Sequence, residues 1–185
     1  ITGGPGVGKT TLMVQLADSL TGQGHIVLYG GTEEAVVQVR KVGRRLKCKS
    51  GFVIDDNELI DRCPSWKNDT RVSMMDHIRA LRAKYPSKQM VIILDSLQSH
   101  DDGFYYNGTT NSKTQVRVAE KLAEVAKSSE FGFPVVLLVG QVTKNGDFAG
   151  PQQLKHAIDM HQEMKIDTGK QAEERGTKGK RLHVI

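Results

Sequence analysis

The chain has 185 residues, enough for one domain with a sizeable core, and its 38% hydrophobic and 25% charged composition is that of a folded globular protein rather than a disordered tail. No apolar run approaches membrane-spanning length, no signal peptide is visible, and the two cysteines, Cys48 and Cys63, stand apart from any metal-binding or disulfide-framework spacing. That pattern excludes a secreted disulfide scaffold and points to a cytoplasmic protein without a membrane partner, while the net charge of +5 permits nucleic acid as a partner without deciding it.

In chain order, Ile1 and Thr2 read as the end of a strand, so the sequence looks like a core cut from a longer protein. Gly3-Gly4-Pro5-Gly6-Val7-Gly8-Lys9-Thr10-Thr11 then fits G-x-x-x-x-G-K-[ST]. Glycines let backbone N–H groups turn inward around a polyphosphate, Lys9 reaches the β- and γ-phosphates, and the Thr10 hydroxyl can ligate Mg²⁺. A helix over Thr11 to Leu20 (Leu12, Val14, Leu16, Ala17, Leu20) would point its positive end at the phosphates.

His25 to Tyr29 is a short buried strand, followed by Gly30-Gly31-Thr32-Glu33-Glu34 and a helix to Leu46 with an apolar stripe at Val36, Val37, Val39, Val42 and Leu46. Phe52 to Ile54 is a third strand, and Ser73 to Lys84 a helix stopped before Pro86. Met90 to Asp95 is a continuous apolar run ending in an acid, the clearest buried strand in the chain. A polar loop over 99–114, a helix from Thr114 to Ser128 and a strand from Pro134 to Val139 follow. The remainder predicts a short helix over Gln152 to Ala157 and strands at Met160–Ile166 and Arg181–Ile185, with a charged turn between them. Basic residues concentrate at Arg40 to Lys49 and Lys170 to Arg181, runs that a solvated helix face commonly carries.

Strands alternating with helices behind a phosphate loop predict an α/β fold, a doubly wound and mostly parallel sheet flanked by helices, over 1–185. Ligands of such sheets bind at the carboxyl ends of the strands, which brings the loop, Glu33, Asp95 and Gln141 to one edge. Asp95 is placed to hold Mg²⁺ directly or through water. Ser96 follows it where many ATPases carry a glutamate, so Glu33 is the candidate base for the attacking water. The Gln141 amide can contact the γ-phosphate and report it to the following loop. Phe104, Tyr105 and Tyr106, with Lys144 in the next loop, have the composition of single-stranded DNA contacts, in which bases stack and cations meet phosphates; a local packing cluster is an equally ordinary meaning for the aromatic trio.

These residues resemble the RecA-type ATPase core and, within it, the bacterial RadA (Sms) DNA repair family. The match runs through G-G-P-G-V-G-K-T-T-L, L-Y-G-G-T-E-E-A-V-V-Q-V with R-R-L behind it, V-I-I-L-D-S-L-Q, V-G-Q-V-T-K-N-G-D-F-A-G-P-Q-Q-L-K-H and R-L-H-V-I. The fourth segment is the most specific, since RadA proteins typically carry V-G-H-V-T-K-D-G-x-I-A-G-P-x-x-L-E-H there. The resemblance implies ATP and Mg²⁺ at Lys9, Thr10 and Asp95, Glu33 as the catalytic carboxylate, and DNA-binding loops after Ser96 and Gln141. It also implies a hexameric motor that loads single-stranded DNA and drives branch migration. Gln141 departs from the family's histidine. The family's zinc finger and Lon-like domain are not in this sequence, and its K-N-R-F-G motif would follow beyond Ile185. A DnaB-type replicative helicase core and a KaiC-like regulatory ATPase are the competing readings; DNA stimulation of hydrolysis separates the motors from the regulator.

Overall fold

The computed structural model describes all residues except Thr32, Pro64, 66–69, Tyr106, 142–153, Lys155, 168–178 and Ile185, and the side chains of Glu33, Glu34, Asp167 and 179–184 are outside the description as well. Tyr106, Lys144, most of the charged turn and half of the short helix expected at 152–157 fall on those residues.

The elements in order are β1 (Thr2–Gly3), α1 (Lys9–Gly22), β2 (Ile26–Gly30), α2 (Glu33–Leu46), β3 (Val53–Asp55), α3 (Met74–Lys84), β4 (Met90–Asp95), α4 (Ser112–Ala126), β5 (Val135–Val139), β6 (Gln162–Asp167) and β7 (Gly179–Val184). One parallel sheet has the order β3-β2-β4-β5, and a second has the order β1-β6-β7, with β1 parallel and β7 antiparallel to β6. Two main-chain hydrogen bonds bridge the seam, from Ile1 N to Leu138 O at 2.6 Å and from Gly140 N to Ile1 O at 2.9 Å. They seat β1 beside β5, so the phosphate loop leaves the middle of the sheet.

Alternation along the strands sorts the core into two layers. Val27, Tyr29, Val91 and Ile93 turn to one face and pack with Met13, Val14 and Ala17 of α1 and Val39 of α2. Leu28, Met90, Ile92 and Leu94 turn to the other and pack with Met74, Met75 and Ile78 of α3 and Val118, Leu122 and Val125 of α4. Each fully buried Leu, Ile or Met of this kind contributes about 1.5–3 kcal/mol. Because β4 is covered on both faces, it reads as an unbroken apolar run instead of an alternating one.

Local signals set the helix ends. Ser73 caps α3, accepting from Asp76 N at 3.3 Å while Asp76 Oδ2 accepts from Ser73 N at 2.9 Å, and Tyr85 closes the helix ahead of Pro86. Asn111 caps α4, accepting from Lys113 N at 2.9 Å and Thr114 N at 3.1 Å, so this helix starts earlier than its apolar stripe suggests. Likewise α1 starts at Lys9, two residues before the expected Thr11, because the polar Lys9 and Thr10 give no periodic apolar signal. Among the described residues no helix is long and apolar enough to cross a membrane.

Candidate active site

The register lines up the carboxyl ends of the central strands: Gly30 lies beside Leu94, and Asp95 beside Val139. The phosphate loop turns over this edge. Gly3 must be a glycine, since a Cβ there would stand 2.6 Å from Met164 O and 2.9 Å from Val7 Cγ2. Gly8 caps α1 at φ 100°, a left-handed conformation that L side chains rarely adopt. Its carbonyl accepts the first helical bond from Leu12 N at 2.9 Å, which orients the start of α1 toward the loop.

Lys9 Nζ donates to Gly3 O at 2.7 Å and Gly4 O at 3.1 Å, so the loop's lysine is folded back on the loop's own carbonyls. Burial holds this ammonium below the ordinary lysine range, and the charge of Asp95 opposes the shift. The Thr10 hydroxyl donates to Asp95 Oδ2 at 2.7 Å. A second hydroxyl, Tyr29 OH, donates to the same oxygen at 2.7 Å. Tyr29 is fully buried, and burial first, then the Asp95 charge, raises its pKa far above that of a free phenol. Asp95 is 7% exposed, so one carboxylate oxygen is fixed by two donors from two different elements.

Tyr29 is the site residue that sequence reasoning missed. In sequence it is one more aromatic in a buried strand; the signal was its register, two residues before the partner level of Asp95 and on the same face of the neighbouring strand. Gln141 lies exposed just past β5. Glu33 is the first residue of α2, and its side chain lies outside the described residues.

The segment leaving Asp95 forms a 3-10 turn at Leu97–Ser99 and passes through fully buried His100. Burial lowers the His100 pKa to about 4, against the opposing charges of Asp55 and Asp95; the Glu58 main chain lies near the ring without meeting hydrogen-bond geometry. Asp55, also buried, accepts from Asn57 N at 2.9 Å and pairs with His77 Nδ1 at 2.7 Å. Beyond His100, the Arg117 guanidinium of α4 stands 4.4 Å from the Phe104 ring centre and 5.6 Å from that of Tyr105. Arg117 Nε also donates to Asp102 Oδ2. Phe104 is 58% exposed, so this packing leaves an aromatic surface open to solvent.

The chain is 33% identical to the DNA repair protein RadA of Chlamydia pneumoniae over 162 residues, 85% of this chain and 30% of that protein. It is 34% identical to RadA of Brucella abortus over 163 residues and 32% identical to RadA of Mycobacterium tuberculosis strain H37Rv over 161, each covering 86% of this chain. The chain belongs to the bacterial RadA family. It spans about 30% of the length of these RadA relatives. No family model matches it. Among solved structures, a DnaB-like replicative helicase described with its primase interactions aligns at TM-score 0.64 and 14% identity over 89% of this chain and 46% of that one. A second solved structure, an isolated ATPase domain, aligns at TM-score 0.58 and 13% identity, over 89% of this chain and 67% of that one. At such identities the likeness is one of fold, and the fold of this RadA segment is the RecA-like P-loop ATPase sheet.

Proposed function

We propose that residues 1–185 are the ATP-hydrolysing core of a cytoplasmic, RadA-type DNA repair and recombination motor. The observation that carries this reading is the convergence of Lys9, Thr10 and Asp95 at one end of the sheet, with Thr10 and Asp95 in direct hydrogen-bond contact. A hydroxyl and a carboxylate are the hard oxygen donors that suit Mg²⁺, which is usually held by one or two such groups together with substrate phosphates. Among the described residues no cluster of three or more His, Cys, Asp and Glu side chains offers an alternative metal site. When bound, Mg²⁺ would supply charge neutralisation at the β- and γ-phosphate oxygens.

In this reading, the loop Gly3 to Thr11 cradles the polyphosphate of ATP with its backbone N–H groups, Pro5 having none to give. Lys9 exchanges its carbonyl partners for phosphate oxygens, a stronger charge-assisted contact. Glu33, at the start of α2, takes the proton of the attacking water, and Gln141 contacts the γ-phosphate and passes its presence to the loop behind it. Phe104, Tyr105, Tyr106 and Lys144 contact single-stranded DNA, by stacking and by charge. Branch migration and a homo-hexameric ring belong to the full-length protein.

A DnaB-type fork-unwinding core would share this fold, but the RadA sequence relatives and the G-D-F-A-G-P run favour the recombination motor. The deciding experiment is ATP turnover with and without single-stranded DNA. Stimulation by DNA is the expected result; ATP binding with turnover indifferent to DNA would replace the motor with a nucleotide-controlled regulatory ATPase.

A further inference from the structure

Residues 35–54 contain six of the chain's 26 Lys and Arg and none of its 21 Asp and Glu. The rest of the chain carries 20 basic against 21 acidic side chains, with a second basic run at Lys170 to Arg181, so residues 35–54 hold more positive charge than the chain's net +5. The fold puts most of that charge on one surface. Val36 and Val39 of α2 are buried, and Val42 and Leu46 pack against the α1 layer, which leaves Arg40, Lys41, Arg44 and Arg45 on the solvent side. Lys47 and Lys49 continue the exposed strip past the helix end.

Arg45 has a local task, because its Nη2 donates to Thr11 Oγ1 at 3.2 Å. Among the described residues none of Arg40, Lys41, Arg44, Lys47 and Lys49 has an ion-pair partner. The ordinary reason for cations here is the negative end of the helix dipole, which favours Arg44 and Arg45 in the last turn. That reason does not extend to Arg40 and Lys41. Arg40 with Arg44, and Lys41 with Arg45, are like-charge pairs four residues apart, an arrangement that destabilises a helix by about 0.2–0.5 kcal/mol each. A solvated face commonly carries a basic run, but solvation alone does not offset these like-charge repulsions.

We propose that Arg40, Lys41, Arg44, Lys47 and Lys49 form a binding face for the phosphate backbone of duplex DNA, separate from the aromatic loop near Phe104. The choice of duplex follows from what accompanies the charge. No Phe, Tyr, Trp or His occurs between Tyr29 and Phe52, so the strip offers cations without stacking platforms. Unpaired bases are held by stacking, whereas a duplex presents only phosphates to such a surface. An acidic protein partner would need an aromatic or aliphatic anchor, and Val37, 44% exposed, is the one large apolar side chain the helix leaves open. The choice of DNA as the polyanion rests on the proposed function; the preference for phosphate does not. A core with a duplex-binding helix face and a single-strand-binding loop has the two contacts that a branched DNA presents.

The test is binding of this chain to a short blunt-ended duplex across a salt series, with Arg40→Gln/Lys41→Gln/Arg44→Gln as the variant. Loss of three phosphate contacts should make the slope of log affinity against log salt shallower by about 2 to 3, and lower the affinity at low salt more than tenfold. Binding of a single-stranded oligonucleotide and ATP turnover should persist in this variant, while Phe104→Ala should do the reverse to the two DNA affinities. Lys47→Gln/Lys49→Gln, outside the helix, gives the same readout if the helix variant unfolds. The proposal is overturned if the wild type does not bind duplex, if the salt slope survives the substitutions, or if polyglutamate of equal charge competes as well as the duplex does. Duplex binding without ATP turnover would leave this face standing and remove the motor.

Discussion

Thr10 and Asp95, 85 residues apart in sequence, are joined by a hydrogen bond of 2.7 Å from the Thr10 hydroxyl to the Asp95 carboxylate. Three features of the chain produce that contact. Gly8 starts α1 so that Thr10 lies in its first turn, the unbroken apolar run of β4 carries Asp95 to the sheet edge, and the odd-numbered residues of β4 face α1. The sheet thus delivers two oxygen donors to one place next to the loop's lysine.

Asp95→Asn keeps the shape of this contact and removes its charge. Nucleotide affinity in the presence of Mg²⁺ should fall roughly 10–100-fold, the range seen when groups that order a metal site are changed. Affinity in EDTA should change little. Titration of ATP with and without Mg²⁺ checks this, and an equal loss in both conditions would place Asp95 outside the metal's reach.

Tyr29→Phe removes one of the two donors from Asp95 Oδ2. A hydrogen bond to a charged, buried acceptor is worth about 1.5–3 kcal/mol, so urea unfolding should show a loss of that size. An unchanged unfolding midpoint would mean that Thr10 alone satisfies the carboxylate.

Glu33→Gln should bind ATP normally and hydrolyse it roughly 10²–10⁴-fold more slowly, the usual contribution of a positioned base. Single-turnover hydrolysis measures this directly. A rate within a few-fold of wild type would move the base to another residue.

The fold was legible where burial writes a long or periodic signal. The apolar β4 run, the α2 stripe and the glycine loop each predict one element and one direction, and together they predict the parallel sheet. Other features were hidden because they depend on register. Tyr29 is a strand-forming aromatic in sequence, and only the pairing of Ile93 with Tyr29 reveals that its hydroxyl is on the Asp95 side. His100, Asp55 and His77 come from a loop, a strand end and a helix with no common spacing, so no motif joins them. Phe104 and Tyr105 were ambiguous in sequence because stacking on DNA and packing on Arg117 ask for the same residues; the structure places Arg117 over both rings and still leaves Phe104 open.

His100 makes stability depend on pH. Its folded pKa, about 4, is below the ordinary 6.5 because burial disfavours the charged ring, so the unfolded chain takes up the proton first. The neutral ring's contribution is therefore complete above pH 6.5 and is lost as pH falls from there to about 4, a change of roughly 3 kcal/mol. Unfolding free energies at pH 7 and pH 4.5 should drop more steeply for wild type than for His100→Gln. Parallel drops would show that carboxylates alone set the acid limit.

The most direct measurement is calorimetric titration of this chain with ATP and Mg²⁺, beside Lys9→Ala. The wild type should bind one nucleotide. The variant, lacking the cation that exchanges Gly3 and Gly4 carbonyls for phosphate oxygens, should bind at least roughly 10-fold more weakly, in line with about 1.5–3 kcal/mol for a charged contact. Equal affinity in the two proteins, or no binding by the wild type, would contradict the assignment of this loop as the nucleotide site.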